Sequence, residues 1–236
     1  MIIRRILLVN DDGIDAPGIW ALYDEFCNEH EVIVCAPSRQ RSGFSHSISL
    51  GGTMTARRVQ RGGARAFAVD GTPADCAIMG LGVLAGGKVD LVISGINDGY
   101  NAAMDVHYSG TMGAAAEACM QGVNALAVST HGGNTDFAPT LSYTRKAIDM
   151  VMAGLPCGCF LSLNVPMGEP KDLAEADTGA LDRHTKIEFT GEQDGVLTYN
   201  AGGFYSPCAP GSDRDMLNKG YAIYTVIDTN WTHNHE

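Results

Sequence analysis

Two adjacent aspartates, Asp11 and Asp12, follow a short apolar run and precede Gly13. Neighbouring side chains on a strand point to opposite faces, so both carboxylates address one target only where the strand has ended; Gly13 lets the chain turn there. Paired carboxylates repel unless something positive lies between them, and a hard divalent cation such as Mg²⁺ or Mn²⁺ prefers such oxygen ligands. The same residues also suit a solvated turn, or a helix start capped by Asp15 ahead of Pro17. A second polar segment, Pro37-Ser38-Arg39-Gln40-Arg41-Ser42-Gly43-Phe44-Ser45-His46-Ser47, carries two arginines and four serines. Guanidinium groups neutralise phosphate, and hydroxyls bind phosphate or a cation; an ordinary surface loop has the same make-up.

A third segment runs Ser94-Gly95-Ile96-Asn97-Asp98-Gly99-Tyr100-Asn101, followed by Tyr108-Ser109-Gly110-Thr111-Met112-Gly113 at the start of an Ala-rich stretch. Free N–H groups at a helix N-terminus bind phosphate with help from the helix dipole, and Ser109 and Thr111 can cap the helix at the same time. Neither a Gly-Lys-Ser/Thr ending nor a Gly-x-Gly-x-x-Gly fingerprint is present, which argues against a Walker loop and a dinucleotide-dependent oxidoreductase. Taken together, the three segments fit metal-assisted phosphoester hydrolysis. A nucleotide-binding module without catalysis and a metal-dependent hydrolase of another bond are the rival readings.

The elements that must hold these segments alternate strand and helix. Ile6 to Val9, Val32 to Cys35, Arg65 to Val69, Leu91 to Ile93, Leu126 to Val128 and Phe160 to Val165 read as strands. Pro17 with Ile19 to Phe26, the start at Thr72-Pro73-Ala74-Asp75, Thr111 to Met120 and Leu141 to Met152 read as helices. This alternation predicts an α/β fold with a mostly parallel, Rossmann-like sheet and helices on both faces. Ligands then bind outside the C-terminal strand ends, where the three polar segments begin. After Pro166 the composition changes, with 5 basic and 12 acidic residues from Met167 to Glu236. Strand-like pieces there, Lys186 to Phe189, Val196 to Tyr199 and Tyr221 to Val226, predict a β-rich C-terminal extension. The expected division of this single-domain chain is a body over residues 1–166 and an extension over 167–236.

The chain has 236 residues and a net charge of −11. Such an acidic chain is not expected to adhere to nucleic-acid polymers or anionic lipid, and a polyanionic substrate needs a locally compensated site. No run of 18 apolar residues exists, so no membrane span is expected, and Met1 to Asn10 does not read as a signal peptide. The odd number of scattered cysteines suits thiols in a reducing cytoplasm. His233 and His235 are read as part of a mobile end rather than a metal site.

The motifs resemble the SurE family of survival-protein nucleotidases, which hydrolyse nucleoside 5′- and 3′-monophosphates. The resemblance rests on Ile6-Leu7-Leu8-Val9-Asn10-Asp11-Asp12-Gly13-Ile14, Ala36-Pro37-Ser38-Arg39 with Arg41-Ser42-Gly43, Gly71-Thr72-Pro73-Ala74-Asp75-Cys76, Ser94-Gly95-Ile96-Asn97 and Tyr108-Ser109-Gly110-Thr111. It implies a nucleoside monophosphate substrate and one divalent ion per subunit, Mg²⁺, Mn²⁺ or Co²⁺, held by Asp11, Asp12, Ser42 and Asn97. It implies a phosphate pocket at Ser109, Gly110 and Thr111 with Asn97 and Asn101 beside it, and Asp11 and Asp12 as the catalytic pair. It further implies a homodimer or homotetramer built partly through C-terminal segments. An acid phosphatase or exopolyphosphatase acting mainly on non-nucleotide phosphates is the alternative within this chemistry. Ala102 to His107 departs from the family pattern, and His107 is read as a loop residue without a catalytic part. Adjacent aspartates, without the Asp-x-Asp spacing of enzymes that form an aspartyl-phosphate, favour water as the nucleophile.

Overall fold

The computed structural model describes residues 3–179 and 183–230, so His233 and His235 lie outside the described residues. In chain order the first part comprises β1 (Arg5–Val9), α1 (Pro17–Phe26), β2 (Glu31–Pro37), β3 (Ala56–Val59), β4 (Arg65–Val69), α2 (Pro73–Met79), β5 (Leu91–Asp98), α3 (Asp105–Tyr108), α4 (Gly110–Met120), β6 (Asn124–Thr130), α5 (Ala138–Ala153) and β7 (Cys159–Val165). Then come β8 (Leu173–Glu175), β9 (Arg183–Gln193), β10 (Val196–Tyr205), α6 (Asp213–Asn218) and β11 (Ala222–Asp228).

Among the described residues, nine strands form one sheet in the order β3-β4-β2-β1-β5-β6-β7-β11-β8. From β4 to β7 every neighbour is parallel. β3 and β11 join antiparallel at the two sides. The fold is therefore α/β with a mostly parallel Rossmann-like sheet. Alternation along β1 feeds two cores. Ile6 and Leu8 pack with Ile19, Leu22 and Phe26 of α1 and with Ala147, Ile148 and Val151 of α5. Leu7 and Val9 face the other way, towards Cys76 and Ala77 of α2 and Met112, Ala115 and Ala118 of α4. Each such Leu or Ile contributes about 1.5–3 kcal/mol by burial, so the strand ends next to the polar segments are anchored on both sides.

The start of α2 forms as its residues dictate. Asp75 N–H donates to Thr72 Oγ1 at 3.1 Å, and Thr72 N–H donates to Asp75 Oδ2 at 2.9 Å, a reciprocal cap. Asp75 also accepts from the Ser49 N–H and hydroxyl, which ties the long β2–β3 connection to this helix.

The extension contributes to both the sheet and a separate feature. β8 and β11 complete the main sheet, while β9 and β10 pair only with each other as a two-stranded arm. The three strand-like pieces read in the sequence thus become an arm and a sheet strand. The arm turns at Asp194-Gly195, both at positive φ, the pattern of a two-residue hairpin turn. Among the described residues no helix is long and apolar enough to cross a membrane. All seven cysteines are free thiols.

Candidate active site

β1 sits where the strand order reverses, with β2 on one side and β5 on the other. This is the position at which open α/β sheets bind ligands. The turn after β1 is closed by Asn10, whose Nδ2 donates to the Gly13 carbonyl at 2.9 Å while Gly13 N–H donates to Asn10 Oδ1 at 3.1 Å. Gly13 has φ +99°, and a Cβ there would lie 3.1 Å from the Arg39 carbonyl carbon. Asn10 is thus scaffold, and the two residues between it and Gly13 are the chemical ones.

Asp11 is 2% exposed. Thr111 Oγ1 donates to its Oδ1 at 2.7 Å, and the backbone N–H groups of Gly110 and Thr111 also reach the carboxylate. The first turn of α4 therefore points its donors at Asp11. The approach is possible because residue 110 is glycine: a Cβ there would lie 2.8 Å from both Asp11 Cβ and Pro73 Cγ. Burial pushes the Asp11 carboxyl above its ordinary value, against the opposing pull of these hydrogen bonds. Asp12 is half-buried and accepts from the Asp98 N–H at 3.1 Å. Burial first, and then the charges of Asp11 and Asp98, push Asp12 up to about 6, with the Gln40 side chain pulling the other way.

Asn97 reaches the same place because the β5–β6 pairing slips by one residue. Ser94 pairs with Ala127 but Asn97 with Ser129, a bulge that re-aims the strand end. Asn97 Nδ2 is held by the Gly99 carbonyl at 2.7 Å, which fixes the amide so that Oδ1 faces Thr111 Oγ1 at 3.3 Å. The single Thr111 hydroxyl proton goes to the closer Asp11, leaving Asn97 Oδ1 with acceptor capacity.

The other residues expected here are arranged differently. Ser42 is exposed in the turn after Arg41, whose N–H donates to the Asp11 carbonyl at 2.7 Å, so its loop is tied to the site by backbone. Ser109 accepts from Met112 N–H as the α4 cap. Asn101 is buried and bonded sideways: its N–H donates to Asn164 Oδ1 at 2.8 Å and its Nδ2 to Ser129 Oγ at 2.9 Å, stitching strand ends together. His107 is on the short helix α3 rather than in a loop. Asp98 and Gln40, which act on Asp12, carry no motif of their own in the sequence and are marked there only by adjoining Asn97 in one case and Arg39 and Arg41 in the other.

Among the described residues no cationic side chain is paired with Asp11 or Asp12. Nor does any group of three His, Cys, Asp or Glu side chains converge there. What converges is two carboxylates and an amide oxygen, with a serine loop beside them, and such hard oxygen donors suit a hard divalent cation. From Asp12 a cleft of about 300 Å³ opens between Gln40, Ile96, Asp98, Thr130, Asn134 and Phe137.

A family model described as Survival protein SurE matches residues 6–187. The chain belongs to the SurE family. Its similarity to the "5'-nucleotidase SurE" of Desulfatibacillum aliphaticivorans is 43% identity over 165 residues, 69% of this chain and 65% of that one. The match thus spans just under two thirds of that relative's length. With the "5'-nucleotidase SurE" of Pseudoalteromonas atlantica it is 35% identical over 235 residues, covering 97% of this chain and 94% of the other. The crystal structure of the SurE protein from Aquifex aeolicus superposes with a TM-score of 0.84 at 30% identity, over 97% and 95% of the two chains. In this SurE chain the charge arrangement has a thermodynamic consequence. The folded Asp12 holds its proton to about pH 6 against an ordinary value of 3.8. Between those values the folded state binds more protons than the unfolded, so stability falls as pH rises through this window. In chelator-treated protein at pH 7.5, Asp12→Asn is expected to raise stability by about 1–2 kcal/mol, after allowance for solvent screening. That corresponds to roughly 2–8 °C in melting temperature. Melting curves from pH 3.5 to 8 check it: the gain is expected to vanish at the acid end.

Proposed function

We propose that this protein is a divalent-metal-dependent phosphomonoesterase that hydrolyses nucleoside 5′- and 3′-monophosphates to nucleoside and phosphate. The observation that carries this reading is the pair of desolvated, uncompensated carboxylates at Asp11 and Asp12 beside the N-terminal donors of α4. Asp11, Asp12, Asn97 and Ser42 hold one Mg²⁺, Mn²⁺ or Co²⁺. When bound, that ion offsets charge on a phosphoryl oxygen and makes water more acidic.

The chain's own residues do the rest. Thr111, through its hydroxyl at 2.7 Å, holds the Asp11 carboxylate in one orientation. Asp12, opening to the cleft, is the carboxylate able to take a proton from an attacking water, which a positioned base accelerates roughly 10²–10⁴-fold. Asp11, enclosed by α4, is poorly disposed to attack phosphorus itself, which favours water over an aspartyl-phosphate. The Ser109 hydroxyl and the α4 dipole orient the phosphate, with Asn97 and Asn101 bordering it. The nucleoside lies in the 300 Å³ cleft, where Phe137 and Ile96 offer apolar surface and Gln40, Thr130 and Asn134 offer polar contacts. The β9–β10 arm exposes Ile187, Phe189, Leu197, Tyr199 and Phe204, a surface suited to joining copies of the chain into a dimer or tetramer. The division into a body over 1–166 and an oligomerising extension over 167–236, and a cytoplasmic location, belong to this same reading.

Phosphate release measured with AMP, GMP, a 3′-monophosphate and p-nitrophenyl phosphate tests it. Turnover is expected with Mn²⁺, Mg²⁺ or Co²⁺ and loss of turnover with a chelator, restored by added metal. Tight nucleotide binding without phosphate release would contradict the proposal in favour of a binding module. Release from p-nitrophenyl phosphate or short polyphosphate far exceeding that from nucleotides would favour the non-nucleotide phosphatase.

A further inference from the structure

The short helix α3 leads directly into Ser109, whose N–H donates to the Asp105 carbonyl at 3.1 Å. This helix is gripped from two directions. On one side Ser45, in the hydroxyl-rich loop that also carries Ser42, donates its N–H to the Tyr108 carbonyl at 3.0 Å and its hydroxyl to the His107 carbonyl at 2.5 Å. On the other side both Tyr205 and Arg214 donate to the same oxygen, Asp105 Oδ2, at 2.9 Å each. Tyr205 is the last residue of β10, the root of the arm, and Arg214 is in α6. The Arg214 guanidinium also lies 4.1 Å from the centre of the Tyr205 ring.

The segment just before α3 is constrained as well. Ala103 has φ +51°, uncommon for a residue with a Cβ. Its N–H donates at 2.6 Å to Oδ2 of Asp213, which is 2% exposed. The Asp105 and Arg214 side chains are only 18% and 16% exposed, so their attraction is less screened than that of a surface pair.

We infer that Asp105 is a positioning residue, tying the arm root (Tyr205) and α6 (Arg214) to α3 and so fixing where Ser109 and the first turn of α4 stand relative to Asp11. The orientation of the arm thereby enters the geometry of the site. The inference rests on the phosphomonoesterase reading above and adds that the extension tunes turnover through this clasp.

The test uses the full chain with Mn²⁺ and p-nitrophenyl phosphate, together with Mn²⁺ binding followed by electron paramagnetic resonance. Asp105→Ala is expected to lower kcat by about 10–100-fold, the scale of an ångström-level misplacement, while KM and Mn²⁺ affinity stay within about threefold. Arg214→Lys, which keeps the charge, is expected to retain kcat within about fivefold of the unsubstituted protein, and Arg214→Ala with Asp105→Ala to be no worse than Asp105→Ala alone, as for residues acting in one network. Unchanged kcat in Asp105→Ala would overturn the inference, as would a parallel loss of Mn²⁺ binding, which signals general collapse. Should Asp105→Ala not fold, Tyr205→Phe decides: a drop in kcat of about 2–5-fold is expected for loss of one hydrogen bond, and no drop overturns it. An inactive unsubstituted protein sinks the phosphomonoesterase reading and this inference together; an active one insensitive to Asp105 sinks the inference alone.

Discussion

Asp12→Asn is expected to reduce kcat for phosphate release at saturating Mn²⁺ by at least about 10²-fold, the contribution of a positioned base, with a larger loss at limiting metal. Asparagine keeps an acceptor for the Asp98 N–H, so the turn is retained. What disappears is one of two negative charges held in a partly desolvated position. The same substitution is expected to stabilise the chelated protein, because it removes a charge disfavoured first by burial and then by repulsion from Asp11 and Asp98. Stability and turnover thus move in opposite directions, an outcome a scaffold residue does not give. Asp11→Asn is expected to lose activity at least as strongly: the amide oxygen can still accept from Thr111 Oγ1, but the buried negative charge beside the first turn of α4 is gone. Steady-state kinetics over a Mn²⁺ series, paired with melting curves in chelator, check both substitutions. Near-normal turnover of Asp12→Asn at saturating metal would show that the carboxylate is dispensable.

Gly110→Ala is the second large effect. The new methyl would lie 2.8 Å from Asp11 Cβ and Pro73 Cγ and 3.2 Å from Asp11 Oδ2. None of these neighbours is the free end of a flexible chain, so the first turn of α4 has to retreat. Alanine favours a helix over glycine by about 1 kcal/mol, but overpacking at a tight contact costs about 1–3 kcal/mol, so the melting temperature is expected to fall slightly. Turnover is expected to fall by about 10²-fold or more, because a displacement on the order of 1 Å at a positioned group has that effect. Kinetics and melting curves on the variant check this. Activity within twofold of the original would mean that the close approach of α4 to Asp11 carries no catalytic weight.

Much of this arrangement was legible in residue order because the relevant physics is local. The apolar run Ile6 to Val9 could only be a buried strand, and Asp11-Asp12-Gly13 had to fall beyond its end. The Thr72, Pro73 and Asp75 pattern specified its helix start, and the structure forms the reciprocal cap. What was not legible depends on long-range pairing. β3 (Ala56-Arg-Arg-Val59) has no alternating pattern, since as an edge strand it buries little. Tyr221 to Val226 reads as a strand of the C-terminal extension, but its pairing with β7 spans more than half a hundred intervening residues and is not a local signal. The arm read as broken pieces, although Asp194-Gly195 is a local hairpin signal. At the site, Asn97 is indicated by the motif resemblance, but the bulge that aims it depends on register with β6. The contacts of Asn101 with Ser129 and Asn164, which bridge strand ends, likewise depend on long-range pairing.

The most direct measurement is an anomalous difference map from crystals grown with Mn²⁺. A single strong peak is expected, enclosed by the carboxylates of Asp11 and Asp12 and the Asn97 side-chain oxygen, next to the first turn of α4. A well-ordered site with no peak there, or a peak held by other residues while Asp11 and Asp12 point apart, would contradict it.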